Sequence, residues 1–348
     1  LQPAHRSGTL SLMLYDLICI GAGPTGLATA IEARRAGLRP LVIDRGCLCN
    51  SLYRYPVQMV FFTTAERMEI GGLPLVTAGT KPTRAEALKY YRRAAEHYEL
   101  EVRLGEELLT IEGHDEHFRV YTRTQRGERS CYRGRKVVLA TGYYDQPNAL
   151  GVPGEDLPHV THYYTEAHPY WRRRVVVIGG RNSAAEAALD LFRNGAYVTL
   201  IHRGSSLGPT VKYWLRPDLE NRIQAGEIQA VFNARVLRIE PEHVLIEVDG
   251  RQQTVQAEQV FAMTGYHPHF DLLRSLGIEL EPETLRPRCD PDTLETNVPG
   301  LFLAGVLVGG RHTAEIFIEN GRFHGQKIVA GLTGRLLEAT EPTRPLGE

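Results

Sequence analysis

The sequence predicts an α/β protein made of two Rossmann-like, three-layer (ββα) dinucleotide-binding domains, the second inserted into the first. Three observations predict it. A strand, glycine turn, helix and strand run in order from Tyr15 to Asp44. The same order returns from Arg174 to Ile201. Two small-residue strand ends, Ala140-Thr141-Gly142 and Met263-Thr264-Gly265, bracket the second unit like a pair of connections. One such unit can arise by chance; two in one chain point to a protein that handles two nucleotides.

In the first unit, Leu17, Ile18, Cys19 and Ile20 form the short apolar run of a strand buried on both faces. Gly21, Gly23 and Gly26 follow as G-x-G-x-x-G. Gly21 permits the tight turn, Gly23 lets backbone approach a pyrophosphate, and Gly26 lets the helix lie close to the strand. The helix N-terminus offers N–H groups and a positive dipole end to that pyrophosphate. Leu41–Ile43 make the next strand, and Asp44 ends it, placed to hydrogen-bond a ribose hydroxyl.

Bulk properties narrow the class. A chain of 348 residues is long for one core, which favours two domains. Hydrophobic residues are 43% and charged residues 23%, ordinary globular values. The formal net charge of −1 gives no global attraction to nucleic acid or anionic membrane, and neither partner is expected. No stretch approaches the roughly 20 apolar residues of a membrane span. Cys19, Cys47, Cys49, Cys131 and Cys289 form no extracellular disulfide framework and no C-x-x-C. No metal site is expected. Residues 1–12, LQPAHRSGTLSL, lack the apolar core of a signal peptide and read as a disordered extension before Met13. A cytoplasmic location is expected by default.

After Asp44 comes an aromatic-rich, irregular stretch to Gly72, open to two readings: a loop running past a bound ring system, or a packed surface loop. Cys47 and Cys49 lie two apart, where extended chain points side chains to opposite faces, a poor spacing for a local disulfide. Thr83 to Glu99 reads as an amphipathic helix, with Thr83 and Glu86 as a capping box. Ala87, Leu88, Tyr91, Ala94, Ala95 and Tyr98 form its apolar stripe. Leu100–Leu104 reads as a parallel strand, and 107–135 as an antiparallel meander with turns at Gly113 and Gly127. Lys136–Gly142 reads as a separate buried strand whose small residues suit a ligand at the carboxyl end of a sheet.

The second glycine turn, Gly179-Gly180-Arg181-Asn182-Ser183, departs from the first. Arg181 stands at the middle glycine, where its side chain must clear the pyrophosphate or reach over it as a cation. The second strand ends in His202-Arg203 instead of an acid. An acid there favours the free ribose hydroxyl of NAD; arginine favours the 2′-phosphate of NADP through charge-assisted hydrogen bonds. This half is therefore assigned NADPH. A strand-rich stretch, 228–260, follows. Near the C-terminus, TNVPGLFLAGV reads as turn, buried strand and close-approach glycine, Gly305. Thr313 to Leu332 reads as one long helix with Gly321 and Gly325 inside it. Its start, Thr313–Ile316, is placed to aim a dipole at the edge of a bound ring system. Residues 336–348 read as a polar tail. The domains are then 13–151 with 265–335, and 152–264.

Taken together, the segments NSLYRYPVQMVFFTTAERMEIG, KPTRAEALKYYR, ATGYYDQPN, VPGEDLPHVTHYYTEAHPY, VVVIGGRNSAAEAAL, FAMTGYHP, ETNVPGLFLAGV and EIFIENGRFHG resemble the YpdA-type bacillithiol disulfide reductases. That group is a branch of the thioredoxin reductase-like flavoproteins. The resemblance runs from Met13 to Leu332 in order. It implies FAD in the outer domain, NADPH in the insert, and a homodimer. It implies FAD contacts at Gly21, Gly23, Thr25, Gly26, Asp44, Ser51, Thr141, Gly142, Gly305 and Ile316. It implies NADPH contacts at Gly179, Gly180, Arg181, Asn182, Ser183, His202 and Arg203.

Three departures accompany the resemblance. Thioredoxin reductases carry a Cys-x-x-Cys in the NADPH domain, and no cysteine lies between Val152 and Thr264. The wider superfamily has Gly-Asp where this chain has Gly305-Val306. The branch has Gly-Pro-Cys-Gly in the first turn, and this chain has Thr25 at the cysteine. A hydroxyl does no thiolate exchange at neutral pH. Cys47 and Cys49 are then the nearest candidate thiols in sequence. The expected function is hydride transfer from NADPH to FAD and on to a small-molecule disulfide, bacillithiol disulfide. Alternatives are a ferredoxin or flavodoxin–NADP reductase, which passes electrons to a small carrier protein, and a non-enzymatic NADPH sensor.

Overall fold

The computed structural model describes residues 9–334. Strand β1 (Thr9–Ile20) leads into helix α1 (Pro24–Arg35) and strand β2 (Pro40–Asp44). A one-turn helix α2 (Asn50–Tyr53) follows, then α3 (Arg84–His97), β3 (Glu101–Leu104), β4 (Glu106–Glu112), β5 (Phe118–Thr124) and β6 (Arg129–Leu139). The apolar run of β1 is explained by where its side chains go. Leu17 and Cys19 join a core with Ala30 and Ala33 of α1, while Ile18 and Ile20 join a second core on the opposite face with Tyr132 and Val137. Burial on both faces is what makes a parallel strand read as continuously hydrophobic.

Three local expectations change. Thr9–Leu12, taken as disordered extension, belong to β1, and Thr9 and Leu10 pair with Ser130 and Cys131. Residues 1–8 of that expectation, and the polar tail 336–348, lie outside the described residues. The last meander strand and the buried strand after it are one strand, β6, because its first half pairs antiparallel with β5 and its second half parallel with β1. The buried stripe of α3 includes Tyr90 in place of Leu88: the Tyr90 hydroxyl accepts from Ile70 N–H at 2.7 Å and donates to Leu73 O at 2.8 Å. The capping box forms as expected. Glu86 N–H donates to Thr83 Oγ1 at 3.2 Å and Thr83 N–H donates to Glu86 Oε2 at 2.8 Å.

The middle of the chain forms β7 (Val160–Thr161), β8 (Arg174–Ile178), α4 (Asn182–Arg193), β9 (Tyr197–Ile201), α5 (Arg216–Gln224) and β10 (Gln229–Val231). It continues as β11 (Ala234–Ile239), β12 (His243–Val248), β13 (Arg251–Gln256) and β14 (Gln259–Ala262). The parallel order is β10-β9-β8-β14-β7, and β11-β12-β13 form an antiparallel sheet. Alternation again decides the layers. Val175 and Val177 pack with α4, whereas Val176 and Ile178 pack with Val244 and Ile246 of the meander.

The last stretch holds α6 (Phe270–Ser275), β15 (Leu301–Leu303), α7 (Ile318–Gly321) and α8 (His324–Thr333). β15 pairs parallel with the second half of β6, completing a seven-stranded sheet ordered β3-β2-β1-β6-β5-β4 with β15 off that path. The single long helix expected from Thr313 is replaced by α7 and α8, and Thr313–Ile316 is not helical. The break frees α8 to dock on α1: a Cβ on Gly325 would lie 2.5 Å from Thr29 Cα. Two compact units result. One holds the chain up to Tyr53, Val60–Asp145 and the chain from His267 onward. The other holds Gln146–Tyr266 together with Arg54–Met59, a short strap whose Val57 N–H donates to Thr165 O at 2.9 Å.

Two helix contacts set measurable stabilities. Thr83→Ala removes the α3 cap and should lower the unfolding free energy by about 1 kcal/mol in a urea titration. Gly325→Ala forces a methyl into the backbone of α1 and should cost about 1–3 kcal/mol.

Candidate functional site

The first glycine turn sits between the carboxyl ends of β1 and β6, where an open parallel sheet changes direction and ligands bind. Gly21 has φ +115°, and a Cβ there would lie 2.3 Å from Ala140 O. A Cβ on Gly26 would lie 2.0 Å from Gly21 O. Both positions therefore exclude any side chain. Gly23 differs: a Cβ there would meet nothing within 4 Å. It is the N-cap of α1, has no side-chain cap, and is followed by Pro24. Open space at a helix N-terminus fits an anionic pyrophosphate. Asp44 takes Ala22 N–H at 2.7 Å and Gly46 N–H at 2.8 Å, one on each carboxylate oxygen. Burial pushes its carboxyl up, against the pull of these two bonds. Its remaining lone pairs suit a ribose hydroxyl.

Around this turn the sheet end gathers further expected residues. A Cβ on Gly21 would lie 3.2 Å from Thr141 N, and Gly142 has φ +68°. Ser51 lies half-buried in α2, just after Cys49, whose N–H donates to Ala22 O at 2.9 Å. Gly305 has φ +76°, and a Cβ there would lie 3.3 Å from Thr25 Oγ1. A Cβ on Gly321 would lie 3.1 Å from the same oxygen. Ile316 lies outside any helix, with its Cδ1 toward Gly309 and its Cγ2 toward Gly321. The dipole expected at Thr313–Ile316 thus has no helix behind it.

Two helix ends lie beside Gly305: the end of α7 at Gly321, which also faces Thr25, and the start of α8 through His324. Gly305 N–H donates to His324 Nδ1 at 3.0 Å. Burial, then the charge of Lys327, hold the imidazole down to a pKa of about 4, so it is neutral. Sequence reasoning missed His324, although its place in EIFIENGRFHG offered a signal.

Neither candidate thiol is activated. Cys49 is buried with φ +54°, and burial, then Asp44, push its thiol well up. Cys47 is exposed, and burial of part of its side chain, then Asp44, push it up as well. Reactive cysteines need an electropositive surrounding; here Asp44 acts on both thiols and outweighs Arg84 at Cys47.

The second turn repeats the first between β8 and β14. Gly179 has φ +151°, and a Cβ there would lie 2.6 Å from Met263 O. A Cβ on Gly180 would lie 2.4 Å from the His202 ring, so the imidazole lies flat against the turn. Arg181 and Arg203 are exposed and raise the local potential: burial, then Arg203, then Arg181, hold the His202 pKa down. This cluster of cations suits a dianionic phosphate. Ser183 is exposed on the first turn of α4. Asn182 also holds a neighbouring loop. Its Nδ2 donates to Thr210 O at 3.1 Å, and its Oδ1 accepts Lys212 N–H at 2.9 Å, tying the 208–212 loop to the helix start. Among the described residues no group of His, Cys, Asp or Glu gathers as a metal site, and no helix is long and apolar enough to cross a membrane.

Two dinucleotide turns on paired Rossmann sheets define a nucleotide-dependent oxidoreductase. The chain belongs to the family described as pyridine nucleotide-disulphide oxidoreductases, which matches residues 18–305. It is 42% identical to a protein of Bacillus subtilis (strain 168) named bacilliredoxin reductase Bdr, over 91% of this chain and 97% of that one. It is similar to the solved bacillithiol disulfide reductase Bdr (YpdA) of Bacillus cereus, with a TM-score of 0.90 and 42% identity, covering 93% of this chain and 100% of that one. The Staphylococcus aureus counterpart gives a TM-score of 0.87 and 39% identity, covering 93% and 99%. The chain is thus an oxidoreductase of a family that works with FAD and NADPH.

The cation cluster makes a direct prediction. Arg203→Glu should raise KM for NADPH roughly tenfold to a hundredfold, the worth of a charged hydrogen bond to phosphate. KM for NADH should change far less, as steady-state kinetics with both nucleotides would read.

Proposed function

We propose that this protein is an NADPH-dependent FAD reductase of a low-molecular-weight disulfide, bacillithiol disulfide. The observation that carries the reading is the 42% identity to the Bacillus cereus bacillithiol disulfide reductase over 93% of the chain. The electron-carrier reductase and the sensor have no comparable support. FAD and NADPH supply, when bound, a two-electron path from nicotinamide to flavin. The protein's own part is placement and charge. Gly21, Gly23 and Gly26 bring backbone up to the flavin pyrophosphate, and Asp44 holds the ribose. Gly179 and Gly180 shape the NADPH turn, with Arg181, His202 and Arg203 around the 2′-phosphate. The two nucleotides are assigned to separate compact units, and a homodimer is part of the reading.

Thr25 bears most directly on the disulfide step. Its Oγ1 lies against Gly305 and Gly321, so a group at this position meets the end of the flavin sheet. The chain offers no thiolate here, and the raised thiols of Cys47 and Cys49 offer none nearby in sequence. The reading is therefore of disulfide reduction that uses neither Cys47 nor Cys49 as a thiolate.

Turnover of bacillithiol disulfide with NADPH, followed by thiol release, tests this. Cys47→Ser and Cys49→Ala should each keep kcat within roughly threefold, since neither thiol is ionised at neutral pH. Thr25→Cys should change kcat by less than roughly tenfold, as thiolate attack is not the route. A loss of turnover in Cys47→Ser, or a large gain in Thr25→Cys, would overturn the thiol-independent route.

A further inference from the structure

We propose that His324 is a positioning residue for the flavin, a neutral imidazole that fixes the Gly305 turn through Nδ1 and offers Nε2–H as a hydrogen-bond donor to the reduced ring. The proposal rests on the assignment of FAD to the first glycine turn. Three observations converge on it. First, Gly305 N–H donates to His324 Nδ1 at 3.0 Å, so in the neutral ring the proton sits on Nε2. Nε2 has no protein partner among the described residues, yet it is not among the side-chain nitrogens sealed away unpaired. Second, the bond is made at a turn whose left-handed backbone suits glycine. Gly305 sits at φ +76°, separated from β15 by Ala304, and a Cβ on it would meet Thr25 in the first turn of α1. The imidazole thus ties the turn that follows β15 to the start of α8. Third, the residue after Gly305 is Val306, buried and apolar, which leaves the turn without an acid of its own.

The chemistry follows from charge. Reduction puts negative charge on the pyrimidine end of a flavin, and a fixed N–H donor stabilises it. The donor stands at the N-terminus of the ten-residue helix α8, whose dipole acts in the same sense. An imidazolium would add a full charge, but it would also place Nδ1–H against Gly305 N–H and lose the clamp. A neutral donor keeps both.

Two substitutions separate the two nitrogens. His324→Asn keeps an acceptor near Nδ1 for Gly305 N–H and removes the donor. His324→Gln places an amide N–H near Nε2 and removes the acceptor. The readouts are flavin content of the purified protein and the midpoint potential of the bound flavin, measured against a dye of known potential. His324→Asn should retain FAD yet shift the flavin about tenfold toward the oxidised form, about 30 mV for a two-electron couple. His324→Gln should keep a potential within roughly threefold of the parent in the same terms while losing FAD more readily. Parental potentials in both variants would overturn the proposal, as would equal shifts in both, which a merely structural residue gives. A parent protein that carries no FAD would overturn the FAD assignment itself, a separate result read before any variant is made.

Discussion

The contact on which the rest of the structure depends is backbone against backbone at Gly21. Its left-handed φ of +115° turns the chain between β1 and α1 in a space where Ala140 O leaves no room for a Cβ. Gly26 then lies against Gly21 O just as closely. These approaches seat α1 directly over β1 and bring its N-terminus to the sheet's switch point. The residues that follow from this placement are Asp44, which ties the turn through Ala22 and Gly46, and Cys49, which ties it through Ala22 O. Gly179 against Met263 O repeats the device in the second unit.

Charge distinguishes the two turns. The first has an acid at the end of its second strand, and the second has His202 and Arg203 with Arg181 nearby. In the proposed reading the same backbone geometry serves two different nucleotides. Neutral groups dominate the carboxyl end of the first sheet: Thr25, Gly305, Val306 and a His324 held unprotonated by burial. Thiols in this part of the chain are raised, not lowered, so the redox chemistry is assigned to the cofactors and the protein acts through shape and dipoles.

Much of this was legible in the sequence. The glycine spacing of both turns, the Thr83–Glu86 cap and the alternating strands all express local rules, and each appears where those rules place it. What was not legible depends on long-range pairing. Whether Arg129–Leu139 is one strand or two is decided by β5 and β15, which lie far away in sequence. Whether 313–332 is one helix or two is decided by the docking of Gly325 on Thr29. His324 was hidden for the same reason: its partner, Gly305, is set by tertiary packing. The second role of Asn182 was hidden too: its amide also holds the loop at Thr210 and Lys212.

The measurement that tests the central claim most directly is anaerobic. The purified protein is reduced with stoichiometric NADPH, bacillithiol disulfide is added, and the flavin band near ~450 nm, a property of the cofactor, is followed. The account predicts bleaching by NADPH, then fast return of the band with release of thiol. A flavin that stays reduced with the disulfide but reoxidises with ferredoxin or flavodoxin would contradict it.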